Sequence, residues 1–127
     1  MMFLLDTHVL LWWLMDDALL SKKVRDVIGD SRNRIFVSAA SAWEISIKKS
    51  LKKLDAPNDL EDAIAQNGFE ALPIAFAHAR VVGALPRHHD DPFDRMLIAQ
   101  AKVENLSIIT HDMQMQKYHK LISLLAA

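Results

Sequence analysis

The chain has 127 residues, with 15 Lys and Arg against 16 Asp and Glu and a net charge of −1. That length suits one domain over residues 1–127 with a single core, and the charge supplies no global basic field for a polyanion. There is no cysteine, which excludes disulfides, thiolate metal sites and cysteine nucleophiles, so any metal must be held by oxygen or imidazole.

Residues 1–15 are strongly hydrophobic, but they lack a basic leader, are interrupted by Asp6 and end in no small-residue cleavage site. They are also shorter than the roughly 20 residues that span a bilayer. The stretch reads as a buried strand over 3–5 and a buried helix over 9–15, and a cytoplasmic protein with no membrane association is the expectation. The helix is apolar on every side of its wheel, whereas a helix facing one core keeps a polar stripe; it needs partners on two sides. Ser21 is placed to cap a second helix running to about Asp30, and a polar turn over 31–34 leads into a strand over 35–37.

A helix is expected over 42–53, followed by one capped by Asn58 and closed by Gly68 in a left-handed C-terminal position. A short strand over 70–72 and a helix over 75–85 follow. The loop 86–90 then reaches Asp91-Pro92, with proline at its favoured first helical position, and that helix runs to about Glu104. A strand over 106–110, a short helix over 112–118 and a strand over 121–125 complete the chain. Short apolar strands alternating with helices predict an α/β fold: a three-layer α/β/α sandwich around a central, mainly parallel sheet of four to five strands.

Four segments share one plan, in which a strand or the turn after it delivers an acid to a helix start: Asp6, Glu44, Asp94 and Asp112. In a parallel sheet the strand C-termini share one edge, and ligands bind in the crevice there, so these acids can converge. Helix capping explains each of them separately. Asp is a favoured N-cap, and Ser41-Ala42-Trp43-Glu44 and Asp91-Pro92-Phe93-Asp94 both have the form of a capping box. As a set they are harder to assign to capping, because clustered carboxylates repel one another unless a cation neutralises them. With oxygen ligands, Mg²⁺ or Mn²⁺ is the natural candidate. Spacing alone leaves capping and metal binding both open.

The residues Leu4-Leu5-Asp6-Thr7-His8, Ser38-Ala39-Ala40-Ser41-Ala42-Trp43-Glu44-Ile45, His89-Asp90-Asp91-Pro92-Phe93-Asp94-Arg95-Met96-Leu97-Ile98-Ala99-Gln100-Ala101 and Ile109-Thr110-His111-Asp112 stand in the order and spacing of a known family. Through them the chain resembles the PIN-domain family over nearly its whole length, and specifically the VapC-type toxins of toxin–antitoxin pairs. The third motif is the most specific, and His8 stands where many relatives carry Asn. The resemblance implies a parallel sheet between helices, a homodimer, a cognate antitoxin protein as partner, and Mg²⁺- or Mn²⁺-dependent cleavage of RNA phosphodiester bonds. Carried over by motif, Asp6, Glu44, Asp94 and Asp112 form the acidic metal pocket, with Asp6 and Asp94 the firmest ligands and Thr7 and Thr110 supporting hydroxyls.

Around this set, Arg87 and Arg95 are candidates for contact with substrate phosphate; the competing reading pairs Arg95 with Asp91 or Glu44. His88 and His89 read as solvated loop residues, and Lys48, Lys49, Lys52 and Lys53 as a solvated helix face. Trp12 and Trp13 pack in the core or meet a partner, aromatic residues being enriched in interface cores; the resemblance favours a partner for at least one. A phosphoacceptor domain would gather an acidic pair near the first strand, and a haloacid-dehalogenase-type phosphatase would want an acid at the position of His8. The remaining alternative is a PIN-like module that binds RNA or protein without cleaving, whose signature would be loss of the pocket acids.

Overall fold

Five short strands and seven helices alternate along the computed structural model, which describes residues 1–127. They are β1 (Met2–Leu5), α1 (Thr7–Leu14), α2 (Lys22–Gly29), β2 (Arg34–Ser38), α3 (Ala39–Ser50), α4 (Leu60–Gln66), β3 (Glu70–Leu72), α5 (Phe76–Ala84), α6 (Pro92–Glu104), β4 (Ser107–Thr110), α7 (Met113–Gln116) and β5 (Leu124–Ala126). The strands form one sheet in the order β3-β2-β1-β4-β5, and every neighbouring pair is parallel. This is the α/β/α architecture expected from the sequence.

Alternation along the strands divides the interior into two cores, because successive side chains leave opposite faces of a strand. Phe3 and Leu5 join Ile35, Val37 and Ile109 on one face, under Val9, Leu10 and Leu11 of α1, Val24 and Ile28 of α2 and Ile64 of α4. Leu4 and Ile108 lie in the other, with Leu97, Ile98 and Ala101 of α6 and with Met115, Tyr118 and Ile122. Each large side chain removed from water contributes about 1.5–3 kcal/mol. With both faces covered, the strands need no polar face, which is why they read as continuous apolar runs.

The sheet extends from β1 through β2 to β3, and β4 then returns to the far side of β1. Such a reversal opens a crevice beyond the strand carboxyl ends, here at the ends of β1 and β4. The two ends are joined directly: Asp6 N–H donates to the Ile109 carbonyl at 3.0 Å.

Several boundaries differ from expectation. Helix α3 begins at Ala39 rather than 42, because Ser38, the last residue of β2, is its N-cap and accepts from Ala40 N–H at 2.9 Å. The capping box read from Ser41 to Glu44 does not form; both residues lie inside the helix and are buried. The cap of α4 is Asp59, which accepts from Asp62 N–H at 2.9 Å, while Asn58 receives Lys49 Nζ at 3.0 Å. Strand β5 starts at Leu124, since the amides of Leu121 and Ile122 are spent on the Tyr118 carbonyl in a turn. Helix α6 matches its reading, from the Asp91 cap and Pro92 to Asn105, whose left-handed backbone (φ 57°) ends it. No helix is long and apolar enough to cross a membrane.

Candidate active site

Asp6 stands at the crevice as the extended residue between β1 and α1, with 3 % of its surface exposed. Its Oδ1 caps α1 by accepting from Val9 N–H at 2.8 Å, and its Oδ2 accepts from the Thr110 hydroxyl and, at 3.3 Å, from His111 N–H. Burial pushes its carboxyl above the usual carboxylate range, against the opposing pull of the Thr110 hydroxyl, two backbone amides and the charge of His8. The Thr110 oxygen also accepts from Asp112 N–H at 2.9 Å, so one hydroxyl at the end of β4 ties Asp6 to the segment that carries Asp112. Asp112 caps α7 through Gln114 N–H at 2.8 Å.

The early start of α3 places Glu44 one and a half turns in, facing α1. Thr7 Oγ1 donates to Glu44 Oε1 at 2.7 Å and lies 3.1 Å from Ser41 Oγ, and Lys48 Nζ donates to Glu44 Oε2 at 2.7 Å. The bond to Glu44 pushes the Lys48 ammonium above its ordinary value; burial opposes this, and the charges of Asp91 and Asp94 add to it.

Asp94 lies in the first turn of α6 with 14 % of its side chain exposed. Its carboxyl is pushed up to about 8, first by burial, then by the charge of Asp91, by hydrogen bonding to and the charge of Asp112, and by the charge of Asp6. The base nearest to it is His89, whose Nε2 stands 3.5 Å from Asp94 Oδ2. The fold thus brings Asp6, Asp94 and Asp112 within electrostatic reach of one another, and Glu44 joins them through Lys48.

Two neighbours were not legible as site residues. Lys48 belongs to the run read as a solvated face, yet its place one turn beyond Glu44 turns it toward the acids; that spacing was the available signal. His89 was read as a solvated loop residue, but its side chain is 10 % exposed and its Nδ1 lies 3.0 Å from the Tyr118 hydroxyl. No local pattern announces that contact across 29 residues.

Arg95 departs from both readings. Its side chain is buried, and its guanidinium donates to the carbonyls of Val82, Leu85, Pro86 and His89 and to the Tyr118 hydroxyl. It pairs with neither Asp91 nor Glu44; its bonds hold the loop before α6 to the second core. Arg87 is exposed and pairs with Asp90 at 2.9 Å. Trp13 is engaged within the chain, its Nε1–H donating to Asn67 Oδ1 at 2.9 Å and its ring packing on Phe69. Trp12 is half-buried, its ring edge-to-face with His111 at 5.0 Å.

No three acidic or imidazole side chains already stand at the spacing of a complete metal-ligand set. The chemistry of the donors nonetheless fits a hard cation. Every group is a carboxylate or hydroxyl oxygen, and the mutual repulsion borne by Asp94 is what a bound cation would neutralise. A cavity of about 790 Å³, mostly apolar, lies elsewhere, among α3, α4 and the edge strand β3. It contains none of the four acids.

A family model described as PIN domain matches residues 3–121. Among curated proteins the chain is similar to Ribonuclease VapC16 of Mycobacterium tuberculosis (strain ATCC 25618 / H37Rv), 38 % identical over 60 residues. That match spans 44 % of this chain and 43 % of the relative. Among solved structures the chain is similar to one in VapBC2 from Rickettsia felis bound to a DNA fragment from their promoter, with a TM-score of 0.67 at 14 % identity over 99 % of this chain and 98 % of that one. DNA-bound VapBC from Salmonella typhimurium gives a TM-score of 0.68 at 16 % identity over the same shares. At these identities the likeness establishes the fold.

Proposed function

The chain belongs to the PIN domain family, and from that premise we propose that it is a metal-dependent endoribonuclease, the toxin of a toxin–antitoxin pair, hydrolysing RNA phosphodiester bonds. The observation that carries this reading is the gathering of Asp6, Asp94 and Asp112 at the carboxyl ends of β1 and β4, where burial and the charges of Asp91, Asp112 and Asp6 push the Asp94 carboxyl up to about 8. A fold gains nothing by collecting such charges unless a ligand neutralises them.

Asp6 and Asp94 are assigned as ligands of Mg²⁺ or Mn²⁺, with Glu44 and Asp112 assisting directly or through water. When bound, the ion supplies an activated water and neutralises charge on the phosphate and the departing 3′ oxygen. The protein's contribution is orientation. Thr110 holds the Asp6 carboxylate by its Oδ2, and Thr7 and Lys48 hold Glu44 by one oxygen each. Each acid keeps lone pairs for the ion, since an ionised carboxylate accepts at about four sites. Lys48 offsets part of the negative field that would otherwise repel RNA, and Arg87, exposed on the loop before α6, is assigned a phosphate contact. No side-chain nucleophile is required. The non-cleaving module ranks second, because all four pocket acids are present.

A cognate antitoxin and a second copy of the chain are the proposed partners, with Trp12 the aromatic left for such an interface, and the cytoplasm is the proposed compartment. Incubating the purified protein with mixed RNA in Mn²⁺, in EDTA, and as the Asp6→Asn variant tests the activity. Cleavage should need the ion and fall by on the order of 10²–10³-fold or more in the variant, as for loss of a main electrostatic element of a site. Undiminished cleavage by Asp6→Asn, or cleavage that persists in EDTA, would refute the assignment.

A further inference from the structure

The one buried side-chain polar atom without a hydrogen-bond partner is His89 Nε2, and it faces Asp94 Oδ2 at 3.5 Å. A buried polar atom left without a partner is destabilising, so its retention at this position calls for a reason.

The imidazole is fixed from behind. Arg95 Nη1 donates to the Tyr118 hydroxyl oxygen at 3.0 Å, which leaves the hydroxyl hydrogen free to be given onward. His89 Nδ1 lies 3.0 Å from that oxygen. Arginine is always a donor; with the Tyr118 oxygen already accepting from it, the hydroxyl hydrogen has His89 Nδ1 as its one acceptor within reach, and the arrangement that uses it runs from Arg95 to Tyr118 and from Tyr118 to His89 Nδ1. A ring that accepts at Nδ1 carries its hydrogen on Nε2. The whole chain is sheltered, with Arg95 5 % and Tyr118 1 % exposed and the His89 side chain 10 % exposed.

We propose that His89 is a positioning residue of the metal site, its Nε2–H held by the Arg95–Tyr118 relay so as to donate to Asp94 Oδ2 and orient that carboxylate toward a bound divalent cation. This rests on the assignment of Asp94 as a metal ligand. Arg95 thereby gains a function beyond holding the loop, since its donation sets the direction of the relay.

The hydrogen position can be read without any variant. Long-range ¹⁵N–¹H NMR of the histidine rings should show His89 carrying its hydrogen on Nε2; a hydrogen on Nδ1 would overturn the proposal. Calorimetric titration with Mn²⁺ then tests the consequence. Removing a partner that orients a metal ligand typically costs 10–100-fold in affinity, so His89→Ala should bind Mn²⁺ about 10-fold or more weakly. His89→Gln, whose amide can offer an N–H near the same place, should recover most of the loss. Tyr118→Phe, which keeps the ring and removes only the hydroxyl, should also weaken binding. Melting temperatures in EDTA, well above the titration temperature for each variant, separate these effects from loss of fold. If Asp94→Asn loses Mn²⁺ while His89→Ala and Tyr118→Phe bind like the parent, the positioning role is wrong and the metal site stands. If Asp94→Asn itself binds Mn²⁺ like the parent, the metal-site assignment fails and takes this proposal with it.

Discussion

A carboxylate at a helix start can cap the helix with one oxygen and still present lone pairs to a ligand. Asp6 and Asp112 each do the first through a single backbone amide at 2.8 Å, so the capping reading of these residues is correct and does not compete with the metal reading. Asp94 differs because it caps nothing; Asp91 takes that role in α6 through Phe93 and Asp94 N–H. Its raised carboxyl has a consequence for stability. Between the ordinary aspartate range near 3.8 and about 8, the folded protein holds a proton on Asp94 that the unfolded chain has released. The associated stability is complete at low pH and is lost as pH rises through about 8. Metal-free protein should therefore weaken over this window, and Asp94→Asn, neutral throughout, should not share that part of the loss. Thermal unfolding in EDTA should give similar melting temperatures for the two near pH 4 and a higher one for the variant above pH 8. Parallel curves would show that Asp94 carries no such burden.

At the scale of elements, the long periodic segment was the most legible: α6 follows from Asp91-Pro92 at one end and from apolar residues at helical spacing through Ala101. The start of α3 was not. Ser38 and Ser41 are both acceptable caps by composition, and the decision between them is tertiary. Ser38 accepts from Ala40 N–H while its hydroxyl donates to buried Gln100 of α6, an arrangement that settles β2, α3 and α6 together. Ser41 lies 3.1 Å from Thr7 instead. Ser38→Ala removes a cap worth about 1 kcal/mol and leaves a buried amide oxygen short of a donor at about 1–3 kcal/mol. The variant should lose about 2–4 kcal/mol in urea unfolding, whereas a loss within 0.5 kcal/mol, roughly that of a neutral surface change, would contradict this account of the junction.

Over the whole molecule, sequence periodicity was enough to assign the layers and the parallel sheet, because buried strands announce themselves as short apolar runs. The strand order is a matter of long-range pairing and could not be read locally. It is that order, with β4 returning beside β1, which sets Thr110 against Asp6 across 104 residues. The same limit hid the roles of Arg95 and His89, whose contacts with Tyr118 join the loop before α6 to the segment after α7. Motif positions identified the acids; only the fold shows that Lys48 stands among them and that Arg95 does not. The central claim is that this gathering of acids exists to hold a divalent cation at the end of the central strand. A crystal of the protein soaked in Mn²⁺ and measured for anomalous scattering tests it most directly: the account predicts a peak shared by the carboxylates of Asp6 and Asp94, and a fully soaked crystal with no peak between them would contradict it.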